Sequence, residues 1–280
     1  MLAGLKPGAC GEMWNLTHPE QVLAIQRRYA AAGADCLITN TFGGNKLSLA
    51  RHHHEQDVAE INRAAAKIAR QAFSGKEGYV LGDVGPVGEL LEPYGDLEAE
   101  DVREALAEQI QALIEGGVDA IILETQNSFE ELEIGIQAAK AAGAPFIIAS
   151  LAYDRSADGT FFKTMMGISP EQAAEFAQKQ GVHMVALNCG TGVDMAAAAK
   201  ILRLYRSSCN LLTMAQPNAG LPVLENQKTI YKQTPEQMVQ ALPEVLAAGA
   251  NIIGSCCGST PEHTRAIRSV VNRFMGAAKA

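Results

Sequence analysis

Apolar and polar positions along the chain are grouped in blocks that repeat. Four times an amphipathic stretch ends at a glycine and a short, continuous apolar run follows; the glycines are Gly33, Gly117, Gly181 and Gly249. Glycine at a helix end is typical of a left-handed C-cap, which residues with a Cβ disfavour. Continuous apolar runs are typical of strands buried on both faces of a parallel sheet. The pattern therefore predicts helices that alternate with parallel strands.

Seven apolar runs are predicted to be strands, and a last helix is predicted from Pro261 to the C-terminus. The strands cover residues 35–42, 78–84, 118–125, 145–152, 182–189, 210–216 and 250–256. Serial βα repeats without a linker favour one domain over residues 1–280, and its predicted fold is an α/β (β/α)8 TIM-type barrel. The count is one strand short of eight. A doubly wound sheet is the alternative, although no glycine-rich phosphate motif follows the first strand.

Composition narrows the class of protein. The 280 residues are 48% hydrophobic and 19% charged, which excludes a globally disordered chain. The net charge of −8, with no cluster of Lys and Arg, argues against nucleic acid or an anionic membrane as a partner. No apolar run approaches the roughly 20 residues of a membrane helix, and the N-terminus does not resemble a secretory signal. We expect a cytoplasmic globular protein.

Polar side chains stand at the predicted carboxyl ends of the strands, where a barrel carries its chemistry. They are Thr39, Asn40, Thr41, Asp83, Glu124, Thr125, Gln126, Ser150, Asn188, Cys189, Gln216, Asn218, Ser255, Cys256 and Cys257. Any one of them could be an ordinary turn residue. A polar residue at every strand end predicts the mouth of a functional cavity.

The cysteines indicate metal chemistry. The chain has six cysteines in 280 residues, which is not the density of a small disulfide scaffold. Cys256 and Cys257 are adjacent. Cys189 ends a strand that should lie two strands away from theirs, so a barrel would bring the three thiols to one mouth. Three thiolates with an open fourth position are typical of a catalytic zinc site. From spacing alone, three buried and inert cysteines remain an alternative, because the chain has no CxxC pair.

Two segments resemble the signature motifs of the homocysteine S-methyltransferase family. They are Ala186-Leu-Asn-Cys-Gly190 and Gly254-Ser-Cys-Cys-Gly-Ser-Thr-Pro-Glu-His263. Further collinear matches are Ile38-Thr-Asn-Thr-Phe-Gly43, Gly82-Asp-Val-Gly-Pro-Val-Gly-Glu89, Leu123-Glu-Thr125, and Pro217-Asn-Ala-Gly220 followed by Tyr231. The chain is most similar to the homocysteine-binding barrel of cobalamin-dependent methionine synthase.

The resemblance implies a zinc-dependent methyltransferase that moves a methyl group to the sulfur of homocysteine, forming methionine. It implies zinc held by Cys189, Cys256 and Cys257, which are then also the catalytic centre, with the substrate sulfur as fourth ligand. It further implies that Glu124 holds the substrate amino group. Asn188 and Asn218 are candidates for positioning the backbone and the substrate, with simple turn residues as the alternative. The methyl donor would be methylcobalamin on a separate corrinoid protein or a sulfonium compound.

Three departures from the family pattern leave other functions open. The family's first strand carries an Asp-Gly-Ala-x-Gly-Thr segment, and this sequence has no counterpart of it. We expect either truncation, a strand from another subunit, or an open barrel, whose edges would favour a homodimer. Gln126 replaces the usual Phe after Glu-Thr, and Gln216 stands where an acid is common. The alternatives are therefore a corrinoid-linked methyltransferase that uses another thiol or donor, and a non-catalytic zinc-binding barrel subunit.

Overall fold

The computed structural model describes residues 4–225 and 228–277. Within these ranges the chain forms two compact units. The first contains the residues up to Ala31 together with Asp35–Ile148, and the second contains Ala32–Ala34 together with the residues from Ala149 onward. No helix in the described ranges is both long enough and apolar enough to cross a lipid bilayer.

The first unit alternates helices with parallel strands. Its elements are α1 (Trp14–Thr17), α2 (Pro19–Ala31), β1 (Cys36–Ile38), α3 (Lys46–Ala50), α4 (Val58–Ala72), β2 (Tyr79–Val84), α5 (Ala99–Glu115), β3 (Ala120–Gln126), α6 (Phe129–Ala141) and the first two residues of β4 (Ile147–Leu151). The strand order is β1-β2-β3-β4. Cys36 lies opposite Tyr79, and Leu81 lies opposite Ala120, both in parallel ladders.

Burial in the first unit follows from the spacing of its apolar residues. Along α4, Val58, Ile61, Ala65, Ile68 and Ala72 are buried at intervals of three or four residues, which places them on one helix face. In β2 and β3 nearly every residue is buried, as the continuous apolar runs predicted. The core of this unit therefore lies between its strands and helices α4, α5 and α6.

The second unit repeats this arrangement and adds two hairpins. Its elements are the remainder of β4, β5 (Asp154–Arg155), β6 (Phe162–Lys163), α7 (Pro170–Lys179), β7 (Met184–Asn188), α8 (Met195–Ser208), β8 (Leu212–Gln216), β9 (Pro222–Glu225), β10 (Lys228–Tyr231), α9 (Pro235–Met238), a 3-10 turn (Val239–Ala241), α10 (Leu242–Ala247), β11 (Ile252–Ile253) and α11 (Pro261–Ala277). The parallel strands follow the order β4-β7-β8-β11. Met184 lies opposite Leu212, and Ile252 lies opposite Met214.

The predicted strands are confirmed, and the parallel sheet of the described residues has seven of them. The predicted last helix is confirmed as α11. The four repeated glycines have φ angles of 100°, 90°, 63° and 88°, so each turn uses the left-handed conformation. β11 is shorter than its predicted run, although the backbone beyond it stays close to β8: Gly254 N–H donates to Ala215 O at 2.9 Å.

Neither antiparallel hairpin was predicted from the sequence. β5 pairs with β6 after β4, and β9 pairs with β10 after β8. All four residues of β9 are exposed. Strands of two to four residues are too short to show alternating hydrophobicity, so the pattern analysis had no signal to detect.

Candidate metal centre

Three cysteine sulfurs meet in the second unit. Cys189 directly follows β7, and Cys256 and Cys257 follow β11. The Cys189 and Cys257 Sγ atoms are 3.9 Å apart, and the Cys256 and Cys257 Sγ atoms are also 3.9 Å apart. All three lie within 4.8 Å of one another. Three thiolates around one tetrahedral zinc, with bonds of about 2.3 Å, would have sulfurs roughly 3.8 Å apart. The cluster therefore fits a zinc ion with little rearrangement.

The end of β8 holds both loops that carry these sulfurs. The Cys189 N–H donates to Gln216 O at 3.2 Å, and the Cys256 N–H donates to Pro217 O at 2.9 Å. β8 lies between β7 and β11 in the sheet. Cys189 and Cys256 are 67 positions apart in the chain. The parallel ladders bring their loops to the two sides of the carboxyl end of β8.

The backbone turns sharply at Cys189. Its φ angle is 55°, in the left-handed region that residues with a Cβ seldom adopt, and Gly190 follows with a φ of 85°. A Cβ on Gly190 would lie 1.8 Å from Tyr153 O, so only glycine fits there. A left-handed non-glycine residue costs about 1–3 kcal/mol and is typical of functional sites. The turn directs the Cys189 sulfur toward Cys257.

Asn218 connects the two cysteine loops. Its Nδ2 donates to Gly190 O at 3.2 Å and lies 3.6 Å from Cys189 Sγ, and its Oδ1 accepts the Cys257 N–H at 3.1 Å. The side chain is 4% exposed. One buried amide therefore fixes the positions of two of the three sulfurs.

Hydrogen bonds among the thiols shift the pKa values of Cys189 and Cys257 in opposite directions. Those with Cys256 and Cys257 lower the pKa of Cys189 well below that of an ordinary thiol, and Asn218 adds to the effect. The pKa of Cys257 is raised, chiefly because it hydrogen-bonds to Cys189. Burial, followed by the charge of Cys257, raises the pKa of Tyr231 to about 12. The arrangement supports a thiolate at Cys189, which is the protonation state that metal ligation requires.

A second cluster of ionisable groups lies in the first unit. Asp83 in β2 is 4% exposed and Glu124 in β3 is 9% exposed. Burial, the charges of Glu124 and Glu12, and a hydrogen bond with Glu124 raise the pKa of Asp83 well above its usual value. Asp83 Oδ1 is buried and has no hydrogen-bond partner. Buried acids of like charge favour either a shared proton or a cationic ligand.

Comparison with known proteins identifies the family. The sequence model described as homocysteine S-methyltransferase matches residues 3–271. The chain belongs to the homocysteine S-methyltransferase family.

Two relatives and two solved structures show how far this similarity extends. The chain is 32% identical over 273 residues to methionine synthase of Mycobacterium leprae (strain TN) and 31% identical over 271 residues to methionine synthase of Mycobacterium tuberculosis (strain ATCC 25618 / H37Rv), covering 94% of this chain in each case. The chain spans 22% of the length of either relative. Escherichia coli homocysteine methyltransferase MmuM superimposes with a TM-score of 0.76 in its metallated form, at 20% identity over 96% of this chain and 91% of that one. Its apo form gives 0.72, at 21% identity over 94% and 89%. These structures confirm the predicted α/β fold of the TIM-barrel type.

The residues that were predicted for the site can each be located in the structure. The structure brings Cys189, Cys256 and Cys257 together. Glu124 lies within β3 and is buried. Asn188 is 1% exposed, and its Oδ1 accepts the Ser150 hydroxyl at 2.6 Å. The substrate roles of Glu124, Asn188 and Asn218 stay predictions.

Both glutamines that depart from the family pattern are buried. Gln126 is 2% exposed and Gln216 is 5% exposed. Gln126 Nε2 donates to Glu124 O at 3.3 Å. The Oε1 atoms of both side chains are buried without a hydrogen-bond partner. An unpaired buried amide oxygen costs about 1–3 kcal/mol, so each site is suited to a ligand that donates a hydrogen bond.

Sequence reasoning missed the contacts around the cysteines. Tyr231 was noted as a motif residue without a role, yet its ring packs against Gly258, the residue that follows Cys257. His263 Nδ1 accepts the Thr260 N–H at 3.1 Å, so Nε2 carries the proton that it donates to Gln233 O at 2.9 Å. The spacing of Tyr231 from Gly258 in the chain contains no sign of this packing contact. Only the path of the β9–β10 hairpin creates it.

Proposed function

We propose that this chain transfers a methyl group to the sulfur of homocysteine, with zinc held by Cys189, Cys256 and Cys257. The three-sulfur cluster carries the proposal, because its spacing matches three corners of a tetrahedral zinc site. When bound, such a zinc lowers the pKa of a thiol that takes the fourth position, so that the thiol is a nucleophile at neutral pH. Family membership and relatives named methionine synthase support the same activity.

The residues of this chain prepare the site for that ion. Cys189 is the sulfur whose proton is most readily lost, since its neighbours donate hydrogen bonds to it. Asn218 keeps Cys189 and Cys257 at ligating distance through its amide. The left-handed turn at Cys189 is followed by Gly190, whose backbone packs directly against Tyr153 O and leaves no room for a side chain. We propose that these features preorganise the three ligands.

We propose that Glu124 binds the ammonium group of the amino acid substrate, with Asp83 as its neighbour. Two buried carboxyls that share a hydrogen bond repel one another when both are charged, and an ammonium would relieve that repulsion. Asp83 Oδ1, buried and without a partner, is one acceptor that such a group would satisfy. We propose that Asn188, fixed by Ser150, orients the strand end beside it.

We propose methylcobalamin, bound to a corrinoid-binding protein or domain outside residues 1–280, as the methyl donor. Residues 1–280 contain no Asp-x-His-x-x-Gly motif of the kind that binds cobalamin. We also propose that residues 1–280 act as one domain, supported by a single family model that matches residues 3–271. A cytoplasmic location is proposed because all six cysteines are free thiols, which is typical of a reducing compartment.

A homodimer is a further part of the proposal. β1 and β11 end the strand order, and each has one neighbour among the described strands. Open strand edges favour pairing with another chain. Sedimentation analysis at micromolar concentration tests this, and a monomer at all concentrations would contradict it.

The decisive experiment measures the metal and its sulfur neighbours. Purified protein should contain about one zinc with three sulfur neighbours by X-ray absorption, rising to four with homocysteine. Cys189→Ser should lose the zinc, while Cys36→Ala, which changes a cysteine of the first unit outside the cluster, should retain it. Protein that binds no zinc after anaerobic reconstitution would overturn the proposal.

A second candidate is methyl transfer to a different thiol, and the two glutamines favour it. The unpaired Oε1 atoms of Gln126 and Gln216 are suited to a substrate with additional hydrogen-bond donors. In the same absorption experiment, three sulfurs that do not change with homocysteine but rise to four with another thiol would support this candidate.

A further inference from the structure

We propose that His263 is a positioning residue of the metal site: its two imidazole nitrogens close a cycle of hydrogen bonds that holds the loop of Cys256 and Cys257 in place before a metal binds. The inference deepens the proposed function and rests on it in one respect, which is that these cysteines are metal ligands. All residues of the cycle lie in the second unit.

The imidazole of His263 is buried in the first turn of α11 and uses both of its nitrogens. The side chain is 5% exposed. Its Nδ1 accepts the backbone N–H of Thr260 at 3.1 Å and the hydroxyl of the same residue at 3.1 Å. Nε2 is then the protonated nitrogen, and it donates to Gln233 O at 2.9 Å. One neutral imidazole thus joins the start of α11 to the segment that follows β10.

From Gln233 the hydrogen bonds lead to Cys257 through a single residue. The Gln233 N–H donates to Ala219 O at 3.3 Å, and the Ala219 N–H donates to Cys257 O at 2.9 Å. The cycle therefore runs from His263 through Gln233, Ala219 and Cys257, and it returns to His263 along the backbone. The imidazole is the one link of this cycle that a side chain supplies, so a substitution there opens it.

The loop between Cys257 and α11 is folded back on the cysteines. The Ser259 hydroxyl donates to Cys256 O at 2.6 Å, and the Ser259 N–H donates to the same oxygen at 3.2 Å. Thr260, the next residue, is the one that the imidazole Nδ1 binds. The backbone positions of both cysteines are therefore connected to the position of the imidazole.

Two other helix starts of the same unit show what the imidazole adds. Thr260-Pro-Glu-His263 has the same pattern as Ser169-Pro-Glu-Gln172 before α7 and Thr234-Pro-Glu-Gln237 before α9. In the latter two, the glutamine Oε1 accepts the N–H of the Ser or Thr three residues earlier, which is half of a capping box. His263 Nδ1 makes this same contact, and Nε2 in addition reaches Gln233. The second nitrogen is thus what distinguishes histidine from the glutamine that capping alone uses.

The test separates capping of the helix from closure of the cycle. His263→Ala removes both, whereas His263→Glu keeps a capping acceptor and has no donor for Gln233 O. Gln172→Ala is the matched control, because its side-chain oxygen bonds within its own capping box. Amide hydrogen exchange at Ala219 and Gln233 is measured on the metal-free proteins. Zinc affinity is then measured by competition with a chromophoric chelator at pH 7.

We expect both His263 variants to exchange these two amides about five- to tenfold faster than Gln172→Ala, the effect of losing one hydrogen bond. Their zinc binding should be about tenfold weaker than that of Gln172→Ala. Nitrogen NMR of the wild type should show His263 as the Nε2–H tautomer, a result that needs no variant to fold.

Three results would each overturn the inference. The first is His263→Glu that matches Gln172→Ala in amide exchange, and the second is a wild-type tautomer with the proton on Nδ1. The third is faster exchange with unchanged zinc affinity, because His263 would then hold the loop without serving the metal.

Failure of the proposed function gives a different result. A wild-type protein that binds no zinc contradicts the zinc site, while amide exchange in the metal-free proteins still decides whether His263 holds the cysteine loop. If the wild type binds zinc and the His263 variants match Gln172→Ala in both measurements, only the role of His263 is wrong. Neither measurement depends on turnover of homocysteine.

Discussion

The Asn218 side-chain oxygen accepts the Cys257 N–H at 3.1 Å, and the nitrogen of the same amide lies 3.6 Å from the Cys189 sulfur. Asn218 is 4% exposed, so water does not substitute readily for either contact. The side chain therefore connects directly the two loops that β8 also holds through its backbone. Metal affinity should depend on this bridge.

Asn218→Ala is expected to weaken zinc binding by about 10- to 100-fold, because Cys189 and Cys257 lose their common partner. Chelator competition at pH 7 measures the change. Asn210→Ala, which alters an exposed asparagine of the same unit, is the control and should leave the affinity unchanged. Equal affinities for all three proteins would show that the bridge does not preorganise the ligands.

Gly258→Ala should lower the stability and the zinc binding of the protein more than Gly167→Ala does. At Gly258 the new Cβ meets the ring of Tyr231, whereas Gly167 has a similar φ of 84° and nothing within 4 Å of the added Cβ. Both variants lose stability because alanine disfavours the left-handed backbone. Only Gly258→Ala adds a steric clash, which costs about 1–3 kcal/mol. Urea unfolding and zinc titration compare the two. A Gly258→Ala protein as stable and as zinc-competent as Gly167→Ala would contradict the observed packing.

Asp83 should make stability depend on pH. Its pKa in the folded protein is raised well above the value of about 3.9 for an unfolded chain, by burial and by Glu124 and Glu12. The folded state therefore holds the proton to higher pH than the unfolded state. The resulting stability is complete below pH ~4 and is lost as pH rises through the folded pKa.

Asp83→Asn remains neutral at every pH, so its advantage over the wild type should grow as pH rises from about 4. Free energies of unfolding in urea, measured across a pH series on both proteins, give this difference. Titrating groups that do not interact with Asp83, including the cysteines, are common to both proteins and cancel, whereas Glu124 contributes to the difference through its hydrogen bond with Asp83. Asp96→Asn, at an exposed position, should follow the wild type. Parallel curves for wild type and Asp83→Asn would refute the assignment.

The buried tyrosine pair of the second unit should respond unequally to loss of its two hydroxyls. Tyr205 donates to Ala186 O at 2.9 Å and accepts from the Tyr153 hydroxyl at 2.9 Å, and both rings are buried. Tyr153→Phe leaves the bond to Ala186 intact and should cost about 1 kcal/mol. Tyr205→Phe leaves the Tyr153 hydroxyl without its partner and should cost roughly 2–3 kcal/mol. Urea unfolding at neutral pH measures both, and equal costs would mean that this proton arrangement is wrong.

Residue types and their order were enough to predict the succession of helices and strands and the polar residues at the strand ends. Continuous apolar runs and glycine C-caps are local consequences of burial and backbone sterics, so Gly117 and the run after it predict a turn and a strand without any knowledge of the fold. The strand-end positions of Cys189, Cys256 and Cys257 predicted that the three cysteines meet, and the family motifs added the prediction that they hold zinc. These inferences needed only residue types and their order.

Tertiary structure decided what surrounds those residues. The hydrogen bonds of Asn218, the packing of the Tyr231 ring on Gly258, and the interaction of Asp83 with Glu124 all join positions that are distant in the chain. Such contacts depend on strand register, on the path of the β9–β10 hairpin, and on how completely water is excluded. No periodicity in the sequence encodes these quantities, because they arise only when separate segments pack together.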